Sequence, residues 1–269
     1  MPYTAVSISS DLRALVLRSG DTVLTHSSVS SLGFVVGGAQ AVVQALLDVL
    51  GPDGTLVVPT QTGDNSDPAD WTNPPVPRSW WPVIREQTPG FDKSRTQSRW
   101  MGVVAETVRT WPGAVRSDHP QVSFAAVGRR AAEVTGVHQL DDALGECSPL
   151  GAIYRLDGKV LLLGCGHGSN TSLHLAEWRQ ASPPRGVIGA SVRRSDGTSE
   201  WISWTDVLPD SDDFEQVGAA FEAAGGLSGV SGVSAGLVGS ATARLMSQRA
   251  LVDFGTAWMA GHRAPAVSP

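Results

Sequence analysis

A chain of 269 residues with 41% apolar and 17% charged side chains has ample material for a buried core and too little charge to be disordered. Twenty basic against 26 acidic residues give a net charge of −6, which argues against nucleic acid and anionic membrane as partners and favours a cationic small molecule. No apolar run approaches the roughly 18 residues of a membrane span, and the opening Met1-Pro2-Tyr3-Thr4 has no charged-then-apolar leader, so a cytoplasmic location is expected.

In chain order, Ser10-Asp11-Leu12 opens an amphipathic stretch to Arg18, and Thr22 to His26 reads as a short strand. Val42, Val43, Leu46, Leu47 and Leu50 recur at helical spacing after Gly38, with Gly51-Pro52-Asp53-Gly54 as the stop and Thr55 to Pro59 as a buried strand. Residues 60–100 hold six prolines and four tryptophans without a clear period, which predicts a long shaped loop kept ordered by its tryptophans. A helix over Gly102 to Arg109, a strand over Val122 to Val127 and a helix started by Ser148-Pro149 follow. Lys159 to Gly164 is a continuous apolar run suited to a sheet covered on both faces. A glycine loop leads from it into a helix over Thr171 to Trp178, with Asn170 as N-cap. Val187 to Arg193 and Glu200 to Trp204 form a strand pair around Ser195-Asp196-Gly197. The acidic stretch Asp206 to Glu215 runs into a helix, and Gly225 to Gly239, with six glycines, is expected to be mobile or tightly turned. Two helices, about Val238 to Ser247 and Leu251 to Ala260, close the chain. The alternation predicts a single α/β domain of mixed α+β character over residues 1–269, a central mixed sheet flanked by helices.

His174 and Glu177 stand three residues apart on one helix face, where a carboxylate fixes the imidazole tautomer that a general base near neutral pH needs. Their helix follows a glycine loop at the carboxyl end of an interior strand, where α/β proteins place ligands. Cys165 and His167 lie in that loop, but neither spacing matches a zinc signature, so no metal is expected; Cys165 reads as a buried thiol and His167 as a loop donor. Cys147 and Cys165 alone build no disulfide framework. The loop from Thr25 through Ser27, Ser28, Ser30, Ser31 and Gly33 offers hydroxyls and free amides suited to a phosphate or pantetheine chain, although it lacks the lysine of a P-loop.

Several segments in order resemble the aminoglycoside 3-N-acetyltransferases, the antibiotic N-acetyltransferase family. They are Thr25-His26-Ser27-Ser28 with Gly37-Gly38; Gly51 to Pro59; Ser117-Asp118-His119-Pro120 leading to Phe124 to Gly128; and Ser148-Pro149 with Leu161 to Gly164 and Thr171 to Glu177. Val238 to Arg244 looks like the family's final helix. The resemblance implies that family's fold rather than the Gcn5-related one, and transfer of an acetyl group from acetyl-CoA to the 3-amino group of the 2-deoxystreptamine ring. It implies His174 as base with Glu177 orienting it, a coenzyme loop at Ser27, Ser28, Ser30, Ser31 and Gly33, and Thr171 near the thioester. Because aminoglycosides are polycations, the acidic residues Asp64, Asp67, Asp212, Asp213 and Glu215 are candidates for substrate contact. Trp71, Trp80 and Trp81 either wall the sugar rings or pin their loop. Another small amine as acceptor, or antibiotic binding without chemistry, stays open, as does the choice between monomer and homodimer.

Overall fold

The computed structural model describes residues 1–228 and 232–263. Helix α1 (Ala5–Ala14) starts five residues earlier than its periodicity predicts. Thr4 and Ser7 form a reciprocal capping box there, and Ile8 and Leu12 bury one face. Then come β1 (Thr22–Ser27), α2 (Gly38–Leu50), β2 (Thr55–Pro59), a short α3 (Trp81–Gln87) and α4 (Gly102–Arg109). The middle of the chain supplies β3 (Val115–Arg116), β4 (Phe124–Gly128), α5 (Ala131–Thr135), α6 (Pro149–Arg155), β5 (Lys159–Leu163) and α7 (Leu173–Trp178). The ribbon strands β6 (Arg185–Arg193) and β7 (Ser199–Val207), then α8 (Phe214–Ser228), β8 (Ser234–Val238), β9 (Ala241–Ser247) and α9 (Gln248–His262) complete it.

Among the described residues seven strands form one sheet in the order β3-β4-β2-β1-β5-β9-β8, and β6 with β7 make a separate two-stranded ribbon. The three central strands β2, β1 and β5 run parallel, and the flanking pairs are antiparallel, so the sheet is mixed as predicted. Strand alternation sorts the core into two layers. Val23, Leu56, Val58, Leu161 and Leu163 pack under α1, α2 and α4, while Leu24, Val57, Val160 and Leu162 pack under α6, α7, α8 and α9. Because the parallel strands end together, Ser27, Pro59 and Leu163 stand along one edge of the sheet, and the loops leaving that edge meet there. Among the described residues no helix is long and apolar enough to cross a membrane.

Three expectations need correction. The predicted helix over Val238 to Ser247 is strand: β9 pairs antiparallel with β5 and β8 folds back on β9. The sequence Ala-Thr-Ala-Arg-Leu-Met is locally compatible with helix, and the open edge of β5 overrides that preference. The glycine-rich segment 225–239 is largely taken up by the end of α8, by β8 and by the turn at Gly239 (φ +57); its residues 229–231 lie outside the described ones. The loop over 60–100 is ordered, and polar anchors as well as tryptophans hold it. The buried guanidinium of Arg116 bonds Thr60 and Ser123 and lies over Phe91, while Asn65 bridges Pro120 and Ser191. Burial pulls Arg116 down to about 10. Trp80 and Trp100 stay exposed.

Candidate active site

Helix α7 begins two residues later than predicted, with Ser172 rather than Asn170 in the capping position; Asn170 Oδ1 still accepts from the Ser172 amide at 3.3 Å. The single full turn between His174 and Glu177 brings Nδ1 to 2.8 Å from Oε2. Glu177 is 1% exposed, and its other oxygen accepts from the Asp210 amide at 2.8 Å and from Arg263 Nη1 at 2.7 Å. Arg263, at the exit of α9, also forks onto Asp213 at 2.6 and 2.8 Å, and these carboxylates raise its already high pKa. With a guanidinium against it, Glu177 acts as an acceptor, so His174 donates from Nδ1 and keeps its lone pair on Nε2. Phe214, edge-on at 4.7 Å, fixes the ring plane.

His174 lines a cavity of about 660 Å³ at the sheet edge. The serine loop forms its opposite wall: Ser27, Ser28 and Ser30 line it, and Thr171 and Asn170 close the α7 side. Ser31 does not face it, since its hydroxyl bonds the Ser28 carbonyl at 2.6 Å and that of Gly164 at 3.3 Å. Gly33 is also outside the lining; its φ of +82° turns the loop where Tyr3 and Ser240 leave little room for a side chain. Two of the six candidate residues of this loop and α7 therefore shape the wall rather than meet its contents.

None of the five acidic candidates lines the cavity. Asp64 pairs with Arg99 at 2.8 Å, Asp67 with Arg85 at 2.6 Å, and Asp213 with Arg263. Glu215 accepts from the Gly168 amide at 2.7 Å, and Asp212 is exposed on the loop that brings Ser211 and Phe214 into the wall. Trp71 bonds Ser66, and Trp81 is flanked by Arg78 and Arg85, so both fasten their own loop. Cys165 lines the cavity with its thiol pushed up to about 11 by burial. His167 is buried and bonds Glu222 at 2.8 Å, so His167 and His174 turn to different carboxylates.

Sequence reasoning missed Arg263, His26, Gln61, Trp100 and Met101, all but the first in the lining. Arg263 lies 86 residues beyond Glu177, and no spacing rule links them. Trp100 carried a signal only in structure, a left-handed backbone (φ +60) that a bulky residue seldom adopts away from functional sites.

The model of the aminoglycoside 3-N-acetyltransferase family matches residues 24–260. Over 260 residues the chain is 43% identical to the SPbeta prophage-derived aminoglycoside N(3')-acetyltransferase-like protein YokD of Bacillus subtilis, covering 96% of this chain and 92% of that one. The crystal structure of YokD superposes with a TM-score of 0.94 at 41% identity, covering 99% and 97%. Aminoglycoside N(3)-acetyltransferase VII of Streptomyces paromomycinus is 36% identical over 267 residues, 96% of this chain and 92% of its own. A structure described as AAC-IIIb binary with CoASH aligns with a TM-score of 0.85 at 31% identity, with both chains covered in full.

Proposed function

The chain belongs to the aminoglycoside 3-N-acetyltransferase family, a family of acyltransferases, and we propose that it moves an acetyl group from acetyl-CoA to the 3-amino group of an aminoglycoside's 2-deoxystreptamine ring. The observation that carries this reading is the His174–Glu177 pair opening onto a cavity whose other wall is the serine loop. Use of acetyl-CoA is supported by the relative solved with CoASH and by the hydroxyls of Ser27, Ser28 and Ser30, which suit a pantetheine arm and its phosphates.

In this reading His174 Nε2 removes the proton from the acceptor nitrogen as that nitrogen attacks the thioester carbonyl. Imidazole, whose ordinary pKa is about 6.5, suits the task. Glu177, held by Arg263 and the Asp210 amide, keeps the ring in the required tautomer and balances the imidazolium that forms. Thr171 and the amides leading into α7 stand where they can meet the thioester. Of the acidic candidates, Asp212 and Glu215 on the Ser211–Phe214 side are the ones we assign to the acceptor, since Asp64, Asp67 and Asp213 already answer arginines. In this reading the protein works in the cytoplasm, where acetyl-CoA is supplied.

Protein, acetyl-CoA and a panel of aminoglycosides mixed with a thiol reagent test the proposal, with mass spectrometry locating the acetyl group. Release of CoA with acetylation at the 3-amino group is expected. No CoA release with any acceptor overturns it, and acetylation of simple amines alone replaces the acceptor class.

A further inference from the structure

His26, the penultimate residue of β1, is part of the cavity wall that the base and the serine loop leave unexplained. Strand alternation puts Leu24 and His26 on the sheet face covered by α7, while the next residue, Ser27, opens the coenzyme-side loop. The ring thus shares one cavity wall with His174 and the serines. It is only 6% exposed, and its Nε2 is sealed from solvent without a hydrogen-bond partner among the described residues. Thr25, also a lining residue, likewise keeps its Oγ1 buried without a partner among the described residues. The His26 Nε2 is closed to the cavity as well as to bulk water, whereas Nδ1 is not sealed and has no hydrogen-bond partner among the described residues, so Nδ1 is the nitrogen that a ligand group can reach. Burial, together with the neighbouring His174, pulls the His26 pKa down to about 3, so at neutral pH the ring is uncharged and carries one N–H.

We propose that His26 donates this N–H to the acyl carbonyl oxygen of the thioester and stabilises the negative charge that develops there, an assignment that rests on the acetyl transfer argued above. The acceptor nitrogen bonds to the carbonyl carbon and gives its proton to His174 Nε2. The carbonyl electron pair moves onto oxygen, where the His26 hydrogen bond meets it. The pair then returns, the C–S bond breaks with its electrons leaving on sulfur, and His174 gives the proton to that sulfur. A neutral imidazole suits the role because it donates a hydrogen bond without surrendering its proton.

The test compares the parent with His26→Leu, His26→Asn and His26→Gln, measuring kcat, KM for acetyl-CoA, CoA affinity by calorimetry, and Tm. His26→Leu is expected to lower kcat by about 10²-fold or more, as for loss of one oxyanion donor, with KM and CoA affinity little changed. Its Tm should hold or rise, because an apolar group replaces an unpaired polar one. His26→Asn, which places its amide where Nδ1 stands, should recover part of kcat, and His26→Gln, whose amide stands at the sealed Nε2 position, should recover less. A His26→Leu enzyme that keeps its kcat within a few-fold, or whose losses follow Tm or CoA affinity with no amide rescue, overturns the assignment. A parent that releases no CoA with any acceptor overturns the transfer reaction itself and this role with it.

Discussion

His174 and His119 stand on two blocks that carry the family resemblance, and they have opposite surroundings. His174 has a carboxylate one turn away and opens onto the cavity. His119 and His138 lie ring against ring at 4.7 Å, the first buried and the second partly so, bonded to backbone amides, to Ser117 and to the Ala143 carbonyl. Burial pulls them down to about 3 and about 4. Trp204 of the ribbon meets His119 edge-on, so this pair fastens the β3–β4 corner to β6 and β7. A histidine's job here follows from its partner and its access, and a shifted pKa alone would nominate the structural pair.

The largest effect that breaks the comparison is on turnover. His174→Ala is expected to lower kcat by about 10²–10⁴-fold while the thermal transition stays in place, because the side chain is partly open to the cavity. His119→Ala should do the reverse, keeping turnover per folded molecule and lowering Tm. Steady-state rates and circular-dichroism melts of both variants decide it; a His174→Ala enzyme of normal kcat removes the base.

The contrast also explains how much of the site was legible before the fold. His174 and Glu177 were readable because an i, i+3 pair is a local pattern, and the serine loop because it directly follows a strand. Arg263 was not, because its contact with Glu177 exists only once α9 packs on α7, joining residues from opposite ends of the site. The central strands were legible because continuous apolar runs such as Val160 to Leu163 admit little else. Strands β8 and β9 were not, since their residues carry weak local preference and their state is set by the free edge of β5.

Arg263 supplies the next test. Arg263→Met leaves the Glu177 carboxylate buried without its countercharge, and loss of hydrogen bonds to charged groups costs about 1.5–3 kcal/mol each. The expected result is a Tm lower by roughly 4–8 °C and a kcat lower by about tenfold, with a smaller change in KM. Unchanged kcat with lowered Tm would make Arg263 a strut for α9 and nothing more.

The His119–His138 pair predicts a pH dependence. In the unfolded chain both imidazoles take protons near pH 6.5, whereas in the folded chain they resist until about pH 3 to 4. Below pH 6.5 the unfolded state binds more protons, so stability is complete above that pH and falls as pH drops toward 4, by on the order of 1 kcal/mol per histidine per pH unit. His26 adds to the same slope. Melts from pH 7.5 to 5 should show Tm falling, and His138→Gln should flatten the curve; an equally steep curve for that variant assigns the acid sensitivity elsewhere.

The smallest effect concerns the acidic loops, where sequence alone treats all carboxylates alike. The Asp64–Arg99 pair is exposed on both sides, and such pairs contribute about 0–1 kcal/mol. Asp64→Asn should therefore barely move Tm, and with an arginine already balancing the carboxylate, KM for an aminoglycoside should change less than about threefold, a Coulomb change of well under 1 kcal/mol. Asp212 has no arginine against it among the described residues, so Asp212→Asn should raise that KM more, most clearly at low ionic strength where charge attraction is least screened. Equal KM changes for the two variants would mean that a polycationic acceptor feels the summed field of the loops rather than individual carboxylates.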